Sequence, residues 1–399
     1  MKLLVISTWF PWPPDNGSKS RAYHLLRELA KRHRITLLSF CGDGEPAPER
    51  LAPLSEFCES VQAVARGPFH QGALTMRGML SGVPRAYVQG FSPEMMTRIR
   101  AVLPGHDAAV ALQVTATLYF RGVTALPVVF EEAEVAVIRD QYVSETRVAR
   151  KLRRGLTWWK YSRFVRALCR HAAMTTVVSD TERAILEEIG CEADRVAAVP
   201  NGVDALDLEW PRPAHRAQRI IYPGSLTYAA NADAVAWFLG SVLPLVHRAR
   251  PDVDFWVTGR TDGASVADPG PSARLTLTGH LPDVRPAIAE SGACVVPLRI
   301  GGGTRLKILQ SMALGTPVVS TSKGAEGLGV TPGVDILIGD SPEAFAAHTL
   351  RLLGDRGLAD NLAAAARTLV RDRYTWARSG ALLNDAVERA VGEWRATRR

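Results

Sequence analysis

One alternation, run twice, governs what this chain can become: short apolar, branched segments followed by stretches with helical spacing. In the first series, residues 2–7, 35–40, 61–65, 108–112, 128–130 and 174–178 read as strands. Near-continuous hydrophobicity of this kind suits parallel strands covered on both faces by helices. Residues 18–32, with Tyr23, Leu25, Leu26 and Leu29 on one stripe, read as a helix. After Pro200-Asn201-Gly202-Val203-Asp204 and a polar stretch through Gln218, the alternation restarts. It predicts strands at 219–222, 254–258, 274–278, 293–297, 317–320 and 336–338, and helices at 231–246, 282–290, 304–314 and 341–353. Such alternation argues for an α/β fold with doubly wound sheets. A length of 399 residues suits two domains. We expect them at 1–200 and 201–374, with a helix in 375–399 packing across both.

Ordinary globular usage, 47% hydrophobic and 22% charged, excludes a wholly disordered chain. Cys41, Cys58, Cys169, Cys191 and Cys294 are scattered and form no C-x-x-C pair, so they suggest neither a zinc site nor a disulfide framework. That fits a reducing compartment. Trp9-Phe10-Pro11-Trp12-Pro13-Pro14 interrupts any signal-peptide core, and no apolar stretch approaches the ~18 residues that cross a bilayer. The expectation is a soluble, cytoplasmic protein.

The formal charge is +8, and residues 145–171 match that excess alone: Arg147, Arg150, Lys151, Arg153, Arg154, Lys160, Arg163, Arg166 and Arg170 stand against Glu145. Val148, Leu152, Leu156 and Trp159 recur there at helical spacing. A core-facing helix with a solvated basic face is the first reading. Peripheral contact with an anionic membrane at its inner face is the second. Nucleic acid ranks last, for want of basic-aromatic alternation or a DNA-binding motif.

The densest chemistry lies in Arg299-Ile300-Gly301-Gly302-Gly303-Thr304-Arg305-Leu306-Lys307, which follows an apolar strand and opens a helix. Glycines let backbone amides approach a ligand closely. A helix start adds unpaired N–H groups and partial positive charge, which suits phosphate or diphosphate. Arg299, Arg305 and Lys307 add cations, and Arg binds phosphate bidentately. The alternative is a tight strand-helix turn with surface charges. The run is neither a Walker A loop nor a G-x-G-x-x-G fingerprint. A second loop, Asn16-Gly17-Ser18, joins the first strand to the first helix at the carboxyl end of a strand, where open α/β sheets bind ligands. A plain helix cap at Asn16 or Ser18 is its alternative.

These loops and their order resemble the retaining glycosyltransferases of family 4, which have the GT-B architecture of two Rossmann-like, doubly wound domains facing an interdomain cleft. The resemblance rests on Pro13-Pro14-Asp15-Asn16-Gly17-Ser18, Val178-Ser179-Asp180-Thr181-Glu182, Pro200-Asn201-Gly202-Val203-Asp204, Gly224-Ser225-Leu226, Thr278-Gly279-His280-Leu281, the triple-glycine run and Gly324-Ala325-Glu326-Gly327-Leu328. It implies metal-independent transfer of a sugar from a nucleotide-sugar, UDP-sugar among them, to an acceptor hydroxyl on a glycan, lipid-linked or small molecule, with no cofactor. By the resemblance Gly301, Gly302, Gly303 and Thr304 meet the diphosphate, with Arg299 nearby. Arg305, Lys307 and Glu326 are the catalytic candidates, and Gln310 faces the ribose. Gly224, Ser225, His280 and Leu281 complete the donor side. Asn16, Gly17, Ser18, Glu131, Glu132 and Glu134 are acceptor candidates; the three acids otherwise begin a helix.

The chain departs from the family in holding Gly302 and Gln310 where two glutamates are common, and Ala133 where a histidine often stands. Those departures keep open a non-catalytic nucleotide-sugar-binding partner subunit, and the implied architecture, which also hosts that chemistry, keeps open a nucleotide-sugar epimerase.

Overall fold

The computed structural model describes residues 1–42, 48–65, 82–84, 87, 91–211, 216–261, 274–301 and 305–398. Its contacts form two units, Met1–Asn201 with Trp376–Arg399, and Gly202–Thr375.

Among the described residues of the first unit, seven parallel strands form one sheet. They are β1 (Lys2–Ser7), β2 (Arg34–Cys41), β3 (Ser60–Ala65), β4 (Ala108–Leu112), β5 (Val128–Glu131), β6 (Met174–Val177) and β7 (Val196–Ala198). Their order is β3-β2-β1-β4-β5-β6-β7. Val5 of β1 lies between Leu37 and Val110. Successive side chains point to opposite faces. Leu3 and Val5 therefore join Leu25, Leu26 and Leu29 of α1 (Gly17–Ala30), while Leu4 and Ile6 join Phe40, Met95 and Tyr119 on the other face. Strand β7 was not expected, because Val196-Ala197-Ala198 is too short to carry a pattern. The C-terminal helix Trp376–Ala396 belongs to this unit. Trp376 stacks on His24 with ring centroids 4.8 Å apart. A Cβ on Gly380 would come within 2.2 Å of Glu28, so only glycine lets this helix lie so close to α1.

The helices that follow at the carboxyl side are α2 (Gln113–Thr117), α3 (Ala136–Val143), α4 (Val148–His171) and α5 (Asp180–Glu188). Ser179 caps α5, accepting from the Glu182 amide at 3.3 Å. Glu182 itself reaches sideways and accepts from the Val135 and Ala136 amides at the start of α3. A buried carboxylate thus satisfies the orphan donors of a neighbouring helix. The core-facing reading of the basic segment holds only for its second half. Tyr161, Phe164, Val165 and Leu168 are buried, whereas Val148, Leu152, Leu156 and Trp159 are exposed.

In the second unit β8 (Arg216–Pro223), β9 (Asp254–Thr258), β10 (Leu275–Gly279), β11 (Ser291–Val296), β12 (Val318–Ser320) and β13 (Leu337–Ile338) form a parallel sheet in the order β10-β9-β8-β11-β12-β13. The helical stretch Ala229–Ala249 opens with α6 (Ala229–Trp237) and widens into a π turn at Phe238–Val242. Pro244, just beyond, has no N–H to donate to a regular ladder. By length and composition this stretch, with a mean hydropathy of 1.4, is apolar enough to cross a membrane, contrary to expectation. Its Ala234, Phe238, Val242 and Val246 fill the core of the unit, which accounts for the apolarity. Helix α7 (Leu306–Ala313) follows β11. A helix at Arg356–Arg373 also escaped notice, although Leu362, Ala366 and Val370 mark its stripe and Asp355 caps it.

Candidate functional site

In open parallel sheets, loops diverge where the strand order reverses, and ligands bind at the carboxyl ends there. The second unit reverses between β8 and β11, whose following segments carry Gly224-Ser225 and Arg299–Lys307 respectively. The stretch Gly302, Gly303 and Thr304 lies outside the described residues; its flanks are defined.

Lys307, in the first turn of α7, reaches back across this point. Its Nζ donates to Tyr222 Oη at 2.7 Å and to Asn231 Oδ1 at 2.9 Å, and lies 4.0 Å from the Tyr222 ring centroid. Tyr222 Oη donates to the same Asn231 oxygen at 2.6 Å. The Asn231 amide donates in turn to Ser225 O at 2.7 Å. A Cβ on Gly224 would sit 2.5 Å from Lys307 Nζ, so the ammonium occupies the space that glycine leaves. Burial pushes the Lys307 pKa down to about 7, and the like charge of Arg305 adds to the shift. A half-buried ammonium poised near neutrality, beside open backbone, can accept a phosphate's charge.

Arg305 precedes α7 and is buried; its Nη2 donates to Gly301 O at 2.8 Å and reaches Lys323 O at 3.5 Å. It ties the glycine run to the loop after β12. Gly301 has φ +103°, and a Cβ there would approach Ala230, Arg305 and Tyr228. Glu326 in that loop pairs with Lys323. Arg299 turns away to Asp233, with Nη2 2.6 Å from Oδ1, so of the three cations expected together from sequence Arg299 is engaged by an acid, while Arg305 and Lys307 stand at the head of α7. Gln310 donates weakly to Asp207 Oδ2 at 3.4 Å. Burial raises the Asp207 pKa to about 6. Ser225 Oγ donates to Arg260 O at 3.1 Å. His280 is exposed and Leu281 half-buried, both just past β10.

The first unit reverses between β1 and β4. Asn16 is the N-cap of α1, accepting from Lys19 N at 3.1 Å, and Gly17 and Ser18 are its first residues. Glu131 differs from expectation. It is 1% exposed and pairs with Arg21, whose Nε donates to it at 2.8 Å and whose Nη1 donates to Asn201 Oδ1 at 2.8 Å. That carboxylate is a core counter-ion with no face for an acceptor. Nor do the three acids open a helix, since Glu182 supplies the cap of α3.

Glu132 is different. It follows β5 with φ +62°, while Gln113 follows β4 with φ +73°, and Gln113 Nε2 donates to Glu132 Oε2 at 3.0 Å. Two adjacent non-glycine residues in the left-handed region cost of order 1–3 kcal/mol each, a strain that clusters at functional sites. Burial raises the Glu132 pKa to about 8, and neighbouring Glu131 and Glu134 add to it against Arg21. Near neutrality it is a carboxylic acid able to donate as well as accept. Glu134 is exposed beside it. Gln113, Tyr222 and the pairing role of Arg21 were missed. For Arg21 the signal existed: a charge four residues before Leu25 on the apolar stripe of α1 needs a buried partner.

A cavity of about 600 Å³ in the first unit, lined by Pro127, Val128, Ala172 and Ala173, lies at the amino ends of β5 and β6. It is at the opposite end of the strands from Gln113 and Glu132, so it does not define the site.

Family models match most of each unit: "Glycosyl transferase 4-like domain" over residues 16–202 and "Glycosyl transferases group 1" over 217–355. An uncharacterized 44.6 kDa protein of the cps region of Klebsiella pneumoniae is 26% identical over 166 residues, 39% of this chain. The match spans 42% of that relative's length. Sucrose-phosphate synthase from Thermosynechococcus elongatus superposes with a TM-score of 0.70 at 16% identity, covering 98% of this chain and 100% of that one. Anabaena HepE, solved with UDP and glucose, gives 0.67 at 13% identity, covering 97% and 99%. The shared fold is the two-domain α/β architecture termed GT-B.

Proposed function

The chain belongs to the group 1 glycosyltransferases, and on that premise we propose that it transfers a sugar from a UDP-sugar to an acceptor hydroxyl with retention of anomeric configuration and without a metal ion. The observation that carries this reading is the convergence of Lys307, Tyr222, Asn231 and Gly224 at the reversal point of the second sheet. HepE, of the same fold, was solved with UDP, which supports uracil as the base.

As the bond between the anomeric carbon and the diphosphate oxygen breaks, negative charge grows on the leaving group. Lys307, Arg305 and the amides of the glycine run oppose that charge. Fixed donors at such a position are each worth ~2.7–4 kcal/mol of barrier. The acceptor oxygen bonds to the anomeric carbon on the face the diphosphate leaves, and its proton passes to a leaving phosphate oxygen. No separate base is then required, and two protein cations take the part a metal would otherwise play. The first unit supplies the acceptor contacts through Glu132, Gln113 and Glu134, with the loop at Asn16, Gly17 and Ser18. A glycan, glycolipid or glycosylated small molecule fits as acceptor.

The experiment is turnover of UDP-sugars in excess chelator, with UDP release followed and the product's anomeric proton read by NMR. Release of UDP with the donor's configuration kept is expected. Inversion, or turnover restored only by added divalent metal, overturns the mechanism; failure of UDP to bind at all overturns the site.

A further inference from the structure

Helix α4 carries apolar side chains where a helix of a globular unit should carry polar ones. Val148, Leu152, Leu156 and Trp159 are 76%, 72%, 65% and 57% exposed. At about 100° per residue they fall within roughly 80° of arc, and that arc is centred about 170° from the one formed by buried Tyr161, Phe164, Val165 and Leu168. The helix therefore has two apolar faces: one at its C-terminal half that packs on the core, and one at its N-terminal half that stays exposed among the described residues. Contiguous exposed apolar surface of this kind marks an interaction site.

The charge around the stripe selects the occupant. Nine cations of residues 145–171 face one acid, and that acid, Glu145, is held within the unit by Arg154 at 3.2 Å and the Arg147 amide at 3.1 Å. Arg147, Arg150, Lys151, Arg153 and Arg163 are all exposed, and by helical angle Arg163 lies within the stripe while Lys151 and Arg153 flank it on either side. The Arg163 guanidinium lies 5.2 Å from the Trp159 ring centroid, giving an apolar ring with a cation at its edge. An acidic protein groove would match the cations but gains little from four aliphatic and aromatic side chains spread along three turns. A bilayer interface with anionic headgroups matches both, since it accepts apolar side chains below and Lys or Arg at the phosphate level.

We propose that the N-terminal half of α4 docks on an anionic lipid bilayer, inserting Val148, Leu152, Leu156 and Trp159 among acyl chains while the surrounding Arg and Lys contact lipid phosphates. Helix α4 then lies in the interface plane rather than across the membrane. The inference is independent of the sugar-transfer reading, and its test uses neither donor nor acceptor.

The full chain is sedimented with vesicles of mixed phosphatidylglycerol and phosphatidylcholine, and with phosphatidylcholine alone. Binding to the anionic vesicles is expected, falling at least about tenfold on neutral vesicles or in high salt, because surface cations are screened beyond a Debye length. The variant Leu152→Ser/Leu156→Ser/Trp159→Ser should lose binding at least about tenfold with an unchanged melting temperature, since its side chains lie outside the core. A second variant, Lys151→Glu/Arg153→Glu/Arg163→Glu, should lose the salt-sensitive part while keeping the fold. Wild-type protein that stays in solution with anionic vesicles at low salt overturns the proposal. So does an apolar variant that binds undiminished, or a dimer that the same variant dissolves in the absence of lipid affinity, which would assign the face to a second copy.

Discussion

Lys307 Nζ donates to Asn231 Oδ1 at 2.9 Å, bridging the helix after β11 to the helix after β8 across the point where the sheet order reverses. Neither helix alone makes a site. The bridge brings an ammonium over Gly224 and leaves it half-desolvated.

From that environment comes a pH dependence. The Lys307 pKa falls from 10.5 to about 7 on folding, so between those values the unfolded chain binds more protons and stability rises with pH. A bound diphosphate reverses the shift by favouring the ammonium. UDP binding should therefore take up a proton above about pH 7, and affinity should fall as pH rises from there. Calorimetry in buffers of different ionisation enthalpy reads the uptake. Lys307→Met should abolish it, weaken UDP binding at least about tenfold, or ~1.4 kcal/mol, and leave the melting temperature undiminished.

Gly224→Ala tests the same geometry by crowding it. The new methyl would lie 2.5 Å from Lys307 Nζ, the mobile end of a long side chain, so the ammonium must swing away while the backbone stays. UDP affinity should drop about tenfold, with a melting-temperature change under about 4 °C. Normal UDP binding by this variant would show that the ammonium's present position does not matter.

Arg21 and Glu131 form a buried pair, each 1% exposed. Arg21→Ala strands the carboxylate and should cost about 3–5 kcal/mol in urea unfolding. Arg21→Met/Glu131→Met removes both charges and should recover most of that loss. If the double variant is no better than the single one, Arg21 acts through Asn201 and Val199 O instead.

Glu132 carries the opposite sign to Lys307. Its pKa rises from 4.5 to about 8 on folding, so the folded chain binds more protons between those values and stability declines as pH climbs through the window. Glu132→Gln should melt with wild type near pH 4.5 and above it by pH 8, as thermal scans across pH will read. Transfer should nonetheless slow, because the amide lacks the acid's O–H while Gln113 and Glu132 hold their strained backbone for a ligand.

Much of the fold was legible in the amino-acid order because buried parallel strands such as Leu3-Leu4-Val5-Ile6 must be apolar on both faces, a demand that leaves a continuous mark. The glycine run between a strand and a helix suggests an anion site for a similar reason, as few other residues serve there, though Gly302, Gly303 and Thr304 lie outside the described residues. Partnership leaves no such mark. Arg299 and Lys307 read alike in sequence, yet one is neutralised by Asp233 and the other is aimed at Gly224. Glu131 and Glu132 are neighbours, yet one lies under Arg21 and the other turns through a left-handed residue toward Gln113. The apolar stripe of α4 was equally visible, but periodicity records only that a face is apolar, not what covers it. Those outcomes depend on contacts between segments as far apart as Arg21 and Glu131, 110 residues, and only the packed chain decides them.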